Sequence, residues 1–320
     1  MMKICMSVCQ QPLPPPQLDF SPARLNPNFL SLNLHPPKDK VVIIMGATGT
    51  GKSRLSVDLA TRFPAEIINS DKIQVHQGLD ILTNKITAEE SCGVPHHLLG
   101  VLPPNADFTA ANFRQMANLS VESILSRGKL PIIVGGSNSH VEALVDDEDY
   151  RFRSKYECCF LWVDVSMPVL HGFVSERVDK MVEKGMVEEV REIFDLWDTD
   201  YTRGSRKAIG VPELDSYFRA EPFLDSRERE ELLREVIEDV KRNTCALACR
   251  QRQKIERLVR AKKWSIQRLD ATAVFRQRRS TVDADVAWER LAVGPSTHAL
   301  SRFLLSAPRG ERNMARCLVA

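Results

Sequence analysis

The segment KVVIIMGATGTGKS, residues 40–53, decides the fold. Its first half is an unbroken apolar run that stops at Gly46, which predicts a strand buried on both faces. The next eight residues match the pattern G-x-x-x-x-G-K-[S/T], and Leu55, Leu59 and Phe63 then recur at helical spacing. A buried strand, a glycine-rich loop and a helix in this order predict a P-loop, the phosphate-binding loop of many α/β proteins.

Each part of this loop has a physical role in binding phosphate. Glycines let successive backbone N–H groups turn toward phosphate oxygens, and the positive end of the following helix adds to the attraction. Lys52 contributes a point charge, and the Ser53 hydroxyl is placed to ligate Mg²⁺, which is the expected cofactor. The predicted phosphate-binding residues are Gly46, Ala47, Thr48, Gly49, Thr50, Gly51, Lys52 and Ser53.

The rest of the chain extends this start into an α/β fold. Apolar runs at 65–70, 130–136 and 158–165 predict further buried strands that alternate with helices, as in a parallel sheet flanked by helices. The second half is mainly helical and predicts a smaller helical lobe at about 168–225. A long helical pattern follows from Ser226, with a bend or break expected near Asn243 and Thr244. The folded domain is predicted to span 40–305.

Composition narrows the function. The chain has 320 residues, with 44 basic and 42 acidic side chains, so a stable nucleic-acid partner is not favoured. No apolar stretch is long enough to span a bilayer. The eight cysteines form no disulfide framework, which indicates a reducing compartment. Cys245 and Cys249 lie one helical turn apart, and we interpret them as a buried helix face rather than a metal pair.

The strand expected to carry a metal-binding acid lacks one. P-loop kinases and ATPases usually hold their metal with an aspartate at the end of a second strand. Here that strand ends in Gly135 and Gly136, and the other candidate, Asp164, is ambiguous. An ordinary ATPase is therefore not the natural interpretation. A small-molecule kinase, which would transfer phosphate from ATP, stays as a distant alternative.

Several further motifs carry a resemblance to one family. They are IINSDK (67–72), QVHQGLDI (74–81), TNKI (83–86), GVPHHLLG (93–100), IIVGGSNS (132–139), RKAIGVPE (206–213) and NTCALACRQRQKI (243–255). Together with the P-loop they resemble the isopentenyltransferase family over roughly residues 40–305. That family comprises tRNA dimethylallyltransferases and the plant adenylate enzymes that begin cytokinin synthesis, and the likeness is greatest to the latter.

The resemblance implies a chemistry and a set of site residues. The P-loop would hold the diphosphate of dimethylallyl diphosphate as a leaving group, with Thr48 and Lys52 contacting it. Asp71 matches the catalytic aspartate that acts as a base on the adenine N6. Lys207 and Arg250 would contact phosphates, and Ser137 and Asn138 the nucleotide. His140 stands where relatives usually have Tyr.

Free ADP or ATP, and also AMP, is the expected acceptor. Only a short polar link, residues 143–158, lies where the tRNA enzymes carry a longer helical insertion, and the C-terminal region lacks zinc-finger spacing. Transfer to an adenine of a tRNA anticodon arm is the main alternative.

The two ends of the chain suggest different destinations. Residues 1–39 are poor in acids and rich in Ser and Pro, which suits either a plastid transit peptide or a disordered leader. Residues 306–320 are expected to be a flexible tail. It closes with Cys317-Leu-Val-Ala, a farnesylation pattern that would permit membrane association. The chloroplast is the expected location, and the cytoplasm or nucleus with a farnesylated terminus is the alternative.

Overall fold

The computed structural model describes residues 38–147, 151–277 and 281–306, so the leader at 1–37 and the tail with Cys317 lie outside the described residues. Its centre is a sheet of six parallel strands in the order β3-β2-β4-β1-β5-β6. The strands are β1 (Asp39–Gly46), β2 (Ala65–Asn69), β3 (His96–His97), β4 (Leu130–Val134), β5 (Tyr156–Asp164) and β6 (Ile266–Asp270). The four strands predicted from apolar runs are confirmed.

Helices cover both faces of this sheet. They are α1 (Lys52–Ala60), α2 (Ala110–Ser126), α3 (Asn138–Val145), α4 (Phe152–Lys155), α5 (Met167–Glu183), α6 (Met186–Glu192), α7 (Val211–Ala220), α8 (Ser226–Arg260), α9 (Thr272–Arg276), α10 (Thr281–Trp288) and α11 (Gly294–Leu305). Along β1, Val42 and Ile44 join the core on one face, and Val41, Ile43 and Met45 join the core on the other. A strand buried in this way needs apolar residues at every position, which explains the unbroken run in the sequence.

A third apolar cluster forms the helical lobe. Helices α5, α6 and α7 contribute to it. The first half of α8 contributes Val236, Ile237 and Val240, so the packed lobe extends beyond residue 225. Leu79 and Leu82, from the segment after β2, pack into the same cluster and tie the lobe to the sheet domain.

The predicted break in α8 is wrong. The helix is continuous over 35 residues. Thr244 lies in its buried stripe and donates its hydroxyl hydrogen to the carbonyl of Val240 at 2.7 Å, which satisfies the side chain without interrupting the backbone ladder. Helix α8 packs against α5 and α7.

Residues 193–210 form the connection between α6 and α7. Helix α6 stops at Glu192. A 3₁₀ turn at Gly204–Lys207 follows, and a second one at Glu221–Phe223 precedes α8. Within the described ranges, no helix is long and apolar enough to cross a membrane.

Candidate active site

The P-loop connects β1 to α1 and is packed between neighbouring helices. Gly49 and Gly51 adopt φ angles of 82° and 91°, a left-handed region that favours glycine. A Cβ on Gly49 would lie 2.7 Å from Cγ1 of Val174, and one on Gly51 would lie 2.8 Å from Cη2 of Trp288. These positions therefore require glycine both for backbone conformation and for space.

Lys52 is buried beneath this loop. Its ammonium donates to the carbonyl of Ala47 at 2.7 Å, and the Thr50 hydroxyl donates to the same oxygen at 2.9 Å. Burial lowers the pKa of Lys52 to about 8, with Asp71 opposing the shift and Arg177 adding to it. Ser53 follows at the exposed start of α1, where its hydroxyl is accessible to a ligand.

Arg177 on α5 is a site residue that the sequence analysis missed. Its Nη2 donates to the Thr48 hydroxyl at 2.9 Å, and burial lowers its pKa to about 10. Nε has no hydrogen-bond partner among the described residues. A second cation therefore lies beside Lys52, and it holds the side chain of Thr48.

Asp71 lies directly beyond the carboxyl end of β2. Its Oδ1 accepts a hydrogen bond from the backbone N–H of Ile73 at 2.9 Å, and its own N–H donates to Oδ1 of Asn69 at 3.1 Å. Asn69 is fixed in turn by donating to the carbonyl of Leu98 at 2.9 Å. Oδ2 accepts no hydrogen bond within the described ranges and lies 3.4 Å from where a Cβ of Gly136 would stand. One carboxylate oxygen is thus anchored and the other remains available.

Gln251 on α8 joins the P-loop to the end of β4, and it too was missed. Its Oε1 accepts from the N–H of Thr48 at 2.7 Å, and its Nε2 donates to the carbonyl of Gly136 at 3.0 Å. A Cβ on Gly136 would lie 2.5 Å from Nε2, so the second glycine of the pair makes room for this side chain. The only sequence signal is its position beside Arg250 in the C-R-Q motif.

Ser137 and Asn138 hold this region together. The Ser137 hydroxyl accepts from the N–H of Lys72 at 3.0 Å, which ties the β4 turn to the Asp71 loop. Asn138 is buried and donates from Nδ2 to the backbone carbonyl of Gln251 at 3.1 Å. The ring of His140 is also buried and stacks on Phe113 with centroids 5.2 Å apart. His140 therefore packs into the core.

Lys207 and Arg250 are both exposed. No hydrogen bond or ion pair joins either side chain to another residue in the described part of the chain. Arg250 precedes Gln251 and so lies next to the site. Lys207 is the last residue of the 3₁₀ turn, and this turn is held by a hydrogen bond from the N–H of Ser205 to the carbonyl of Pro104 at 2.8 Å. Within the described residues, no hydrogen bond or ion pair joins the Lys207 side chain to the P-loop. The phosphate-binding role of both residues stays a prediction.

Asp164 belongs to an ion-pair network. It is buried at the end of β5, where Oδ2 lies 2.6 Å from Nη2 of Arg268 and Oδ1 lies 3.5 Å from Nε of Arg252. This carboxylate is therefore neutralised by two arginines. No group of three or more His, Cys, Asp or Glu side chains suited to a metal occurs within the described residues.

The cysteine pair on α8 faces α5. Cys249 Sγ lies 3.4 Å from Nε2 of His171, and Cys245 Sγ lies 3.9 Å from the His171 carbonyl oxygen. Both thiols are partly buried at this helix contact.

The structure combines a parallel sheet, a P-loop that holds the buried Lys52 with Arg177 beside it, and Asp71 just beyond the end of β2. These features define an α/β protein of the P-loop class. The family profile described as IPP transferase matches residues 74–155 and 146–257. Two relatives from Arabidopsis thaliana are similar over most of their length. Adenylate isopentenyltransferase 3, chloroplastic, is 70% identical and the match covers 100% of this chain and 99% of that protein. Adenylate isopentenyltransferase 7, mitochondrial, is 50% identical, and the match covers 83% of this chain and 81% of that protein.

The chain belongs to the IPP transferase family and, within it, to the adenylate isopentenyltransferases. Its fold matches solved structures of tRNA-modifying enzymes. A eukaryotic dimethylallyltransferase acting on tRNA superposes with a TM-score of 0.71 at 23% identity, covering 86% of this chain and 82% of that one. The tRNA isopentenylpyrophosphate transferase of Bacillus halodurans gives a TM-score of 0.60 at 28% identity, and the superposition covers 79% of this chain and 97% of that one. The predicted α/β, P-loop fold is confirmed.

Proposed function

We propose that this protein transfers the dimethylallyl group of dimethylallyl diphosphate to N6 of the adenine of ADP or ATP, and of AMP, as the first step of cytokinin biosynthesis. One observation carries the proposal. Gln251 joins Thr48 of the P-loop to the turn at Gly136, and the free oxygen of Asp71 borders the same turn. These contacts support a leaving-group site and a base at one end of the sheet.

The P-loop is proposed to hold the diphosphate of the donor. As the bond between C1 and the diphosphate oxygen breaks, the electron pair leaves with the diphosphate. Backbone N–H groups of the loop, Lys52 and Arg177 stabilise the charge that builds there. The Ser53 hydroxyl is exposed beside these groups, and Mg²⁺ commonly takes few protein ligands together with substrate phosphates, so the site fits the ion. When bound, Mg²⁺ would neutralise further charge on the leaving group.

Asp71 is proposed to act as the base on the acceptor. The N6 lone pair of adenine is delocalised into the ring, which makes it a poor nucleophile. N6 forms the new bond to C1 while its proton passes to Oδ2 of Asp71. The anchored Oδ1 fixes the carboxylate for this transfer. The products are the N6-dimethylallyl nucleotide and diphosphate, and the proton from N6 remains on Asp71.

The acceptor phosphates are proposed to meet Lys207 and Arg250. Both side chains are exposed, and neither charge is used by another residue within the ranges described. Ser137 and Asn138 would position the nucleotide through the turn that they stabilise. Relatives of 44% to 70% identity that are named adenylate isopentenyltransferases support a nucleotide acceptor.

A direct product assay tests the proposal. The full chain, Mg²⁺ and dimethylallyl diphosphate are incubated with AMP, ADP, ATP or an unmodified tRNA anticodon arm, and mass spectrometry follows the added five-carbon unit. Prenylated ADP or ATP is expected. Modified RNA with untouched nucleotides would replace the proposal by tRNA modification, the activity of the structural neighbours. Phosphoryl transfer from ATP without need of the donor would indicate a kinase.

We also propose a plastid location. Relatives of 70% and 56% identity carry the word chloroplastic in their names, although one of 50% identity is named mitochondrial. Imaging of the full chain fused to a fluorescent protein at either end, with and without Cys317→Ser, tests this. Plastid fluorescence supports it, and a cytoplasmic or nuclear signal that depends on Cys317 would favour the farnesylated alternative.

A further inference from the structure

A cavity of about 760 Å³ lies between α5 and the segment that follows Asp71 in the chain. Helix α5 contributes Arg177, Lys180 and Met181 to its wall, and Lys184 joins them from just beyond the end of the helix. The opposite wall is formed mainly by residues 77–87. This volume is in the range of pockets that hold small molecules. None of the residues assigned above by resemblance lines it, so its role needs a separate argument.

Positive charge dominates the α5 wall of this cavity. Residues 177, 180 and 184 lie three and four positions apart, so their side chains share one face of the helix. Lys180 and Lys184 are exposed and have no hydrogen bond or ion pair with any described residue. Lys85 in the opposite wall is already paired with Asp80 at 2.6 Å. Glu90 also lines the cavity, and its carboxylate accepts a hydrogen bond from the backbone N–H of Thr87 at 3.1 Å. Four cationic and two acidic side chains line the cavity, so its net charge is positive and would attract an anion.

The charged wall leads directly to the P-loop. Arg177 both lines the cavity and donates to the Thr48 hydroxyl at 2.9 Å, and its Nε remains without a partner within the described ranges. Lys184 lies seven residues beyond Arg177, at the C-terminal cap of α5, which is about 10 Å away at the rise of an α-helix. Lys184, Lys180 and Arg177 thus form a row of cations that ends at the phosphate-binding loop.

The other side of the cavity suits an apolar group. Ile81, Ile86 and Leu99 line it together with Met181 of α5. A ligand for such a space has an anionic end and a small hydrocarbon end. A nucleotide shares the phosphate chemistry, and its base can also pack on aliphatic side chains, so the experiment below must distinguish the two substrates.

We propose that Lys180 and Lys184 form an entry site that captures the diphosphate of the prenyl donor and passes it along Arg177 to the P-loop. The inference rests on the proposed function. A row of like charges in a cleft raises the local concentration of an oppositely charged substrate and its association rate. The effect weakens with added salt, because mobile ions screen exposed charges within about 10 Å at 0.1 M.

The test is the double variant Lys180→Gln/Lys184→Gln. Its matched control, Lys155→Gln/Lys263→Gln, removes two exposed lysines that are away from the cavity. We expect kcat/KM for dimethylallyl diphosphate to fall roughly three- to tenfold at low salt, with a flatter salt dependence than the wild type. KM for ADP should not change. Calorimetry should show weaker binding of inorganic pyrophosphate to the double variant than to the control.

Two results would overturn the entry site. In the first, the double variant keeps the wild-type kcat/KM for the donor and the wild-type affinity for pyrophosphate, or the control variant loses as much kcat/KM as the double variant does. The other is a selective rise in KM for ADP, which would assign the cavity to the acceptor phosphates. Failure of the proposed function has a different signature, since the wild-type protein would then not prenylate ADP at all, whereas pyrophosphate binding is measured without turnover.

Discussion

The side-chain oxygen of Gln251 accepts a hydrogen bond from the backbone N–H of Thr48 at 2.7 Å, and its nitrogen donates to the carbonyl of Gly136 at 3.0 Å. One side chain of α8 thereby joins the loops that follow β1 and β4, which are neighbours in the sheet. The P-loop carries the proposed leaving-group site, and the Gly136 turn borders Asp71. This amide therefore links the two chemical groups directly, in addition to the strand pairing and the hydrogen bond from Lys72 N–H to Ser137.

Removing this amide should slow the reaction more than it destabilises the fold. For Gln251→Ala we expect kcat/KM to fall roughly 10- to 100-fold, because small misplacements of reacting groups are costly. The free energy of unfolding should fall by only about 1–2 kcal/mol. Steady-state kinetics and urea unfolding measure the two effects. Gln253→Ala, an exposed glutamine of the same helix, is the control. A similar activity loss in both variants would contradict the linking role.

Asp71→Asn should separate catalysis from donor binding. An amide cannot take the N6 proton, so kcat should fall roughly 10²- to 10⁴-fold. The donor diphosphate is proposed to bind at the P-loop and not at Asp71, so its affinity should stay nearly unchanged. Rapid-quench turnover and calorimetric titration with pyrophosphate measure the two quantities, with the exposed Asp107→Asn as control. Near-normal turnover in Asp71→Asn would remove this residue from the role of base.

The strands that were predictable from sequence are those with both faces covered. β1, β2, β4 and β5 read as apolar runs because helices pack on each side. β6 reads Ile-Gln-Arg-Leu-Asp, and only Leu269 in it is buried, since an edge strand exposes most of its residues. β3 is the two-residue pair His96–His97 and has no periodicity to detect.

Part of the site was predictable because it is local in sequence. The P-loop and Asp71 follow strand ends in short motifs. Gln251 and Arg177 reach Thr48 from helices 203 and 129 residues further along the chain. Amphipathic spacing identifies the buried stripe of each helix, but it does not tell which polar residue at the border of that stripe faces the loop.

The affinity for the donor should depend on the charge of Lys52. Burial lowers the pKa of this lysine to about 8, so above that pH the free protein loses the charge that attracts a diphosphate. Pyrophosphate affinity should therefore decline as pH rises past about 8. Binding should also take up a proton near pH 8, because the anion raises the pKa again. Calorimetry in buffers of different ionisation enthalpy measures this uptake.

The variant Lys52→Met checks whether Lys52 is the group that titrates near pH 8. It should bind pyrophosphate weakly, and both the proton uptake and the decline above pH 8 should disappear. If the decline persists unchanged in Lys52→Met, the titrating group is another residue.

His140 should make the fold sensitive to acid. Its ring is buried against Phe113, and burial lowers its pKa from 6.5 to about 4, with Asp71 opposing the shift and Lys72 adding to it. Between these values the unfolded chain binds a proton that the folded chain does not. The stability is therefore greatest above pH 6.5 and declines as pH falls toward 4, by at most about 3 kcal/mol.

His140→Phe should remove this decline, since a neutral ring keeps the stacking on Phe113 and leaves no group to protonate. Urea unfolding at a series of pH values from about 4.5 to 8 compares the variant with the wild type. The two should diverge most at the acid end, and the exposed His298→Gln should follow the wild type throughout. Parallel curves for His140→Phe and wild type would show that acid acts through other groups, since only the buried imidazole distinguishes the two proteins.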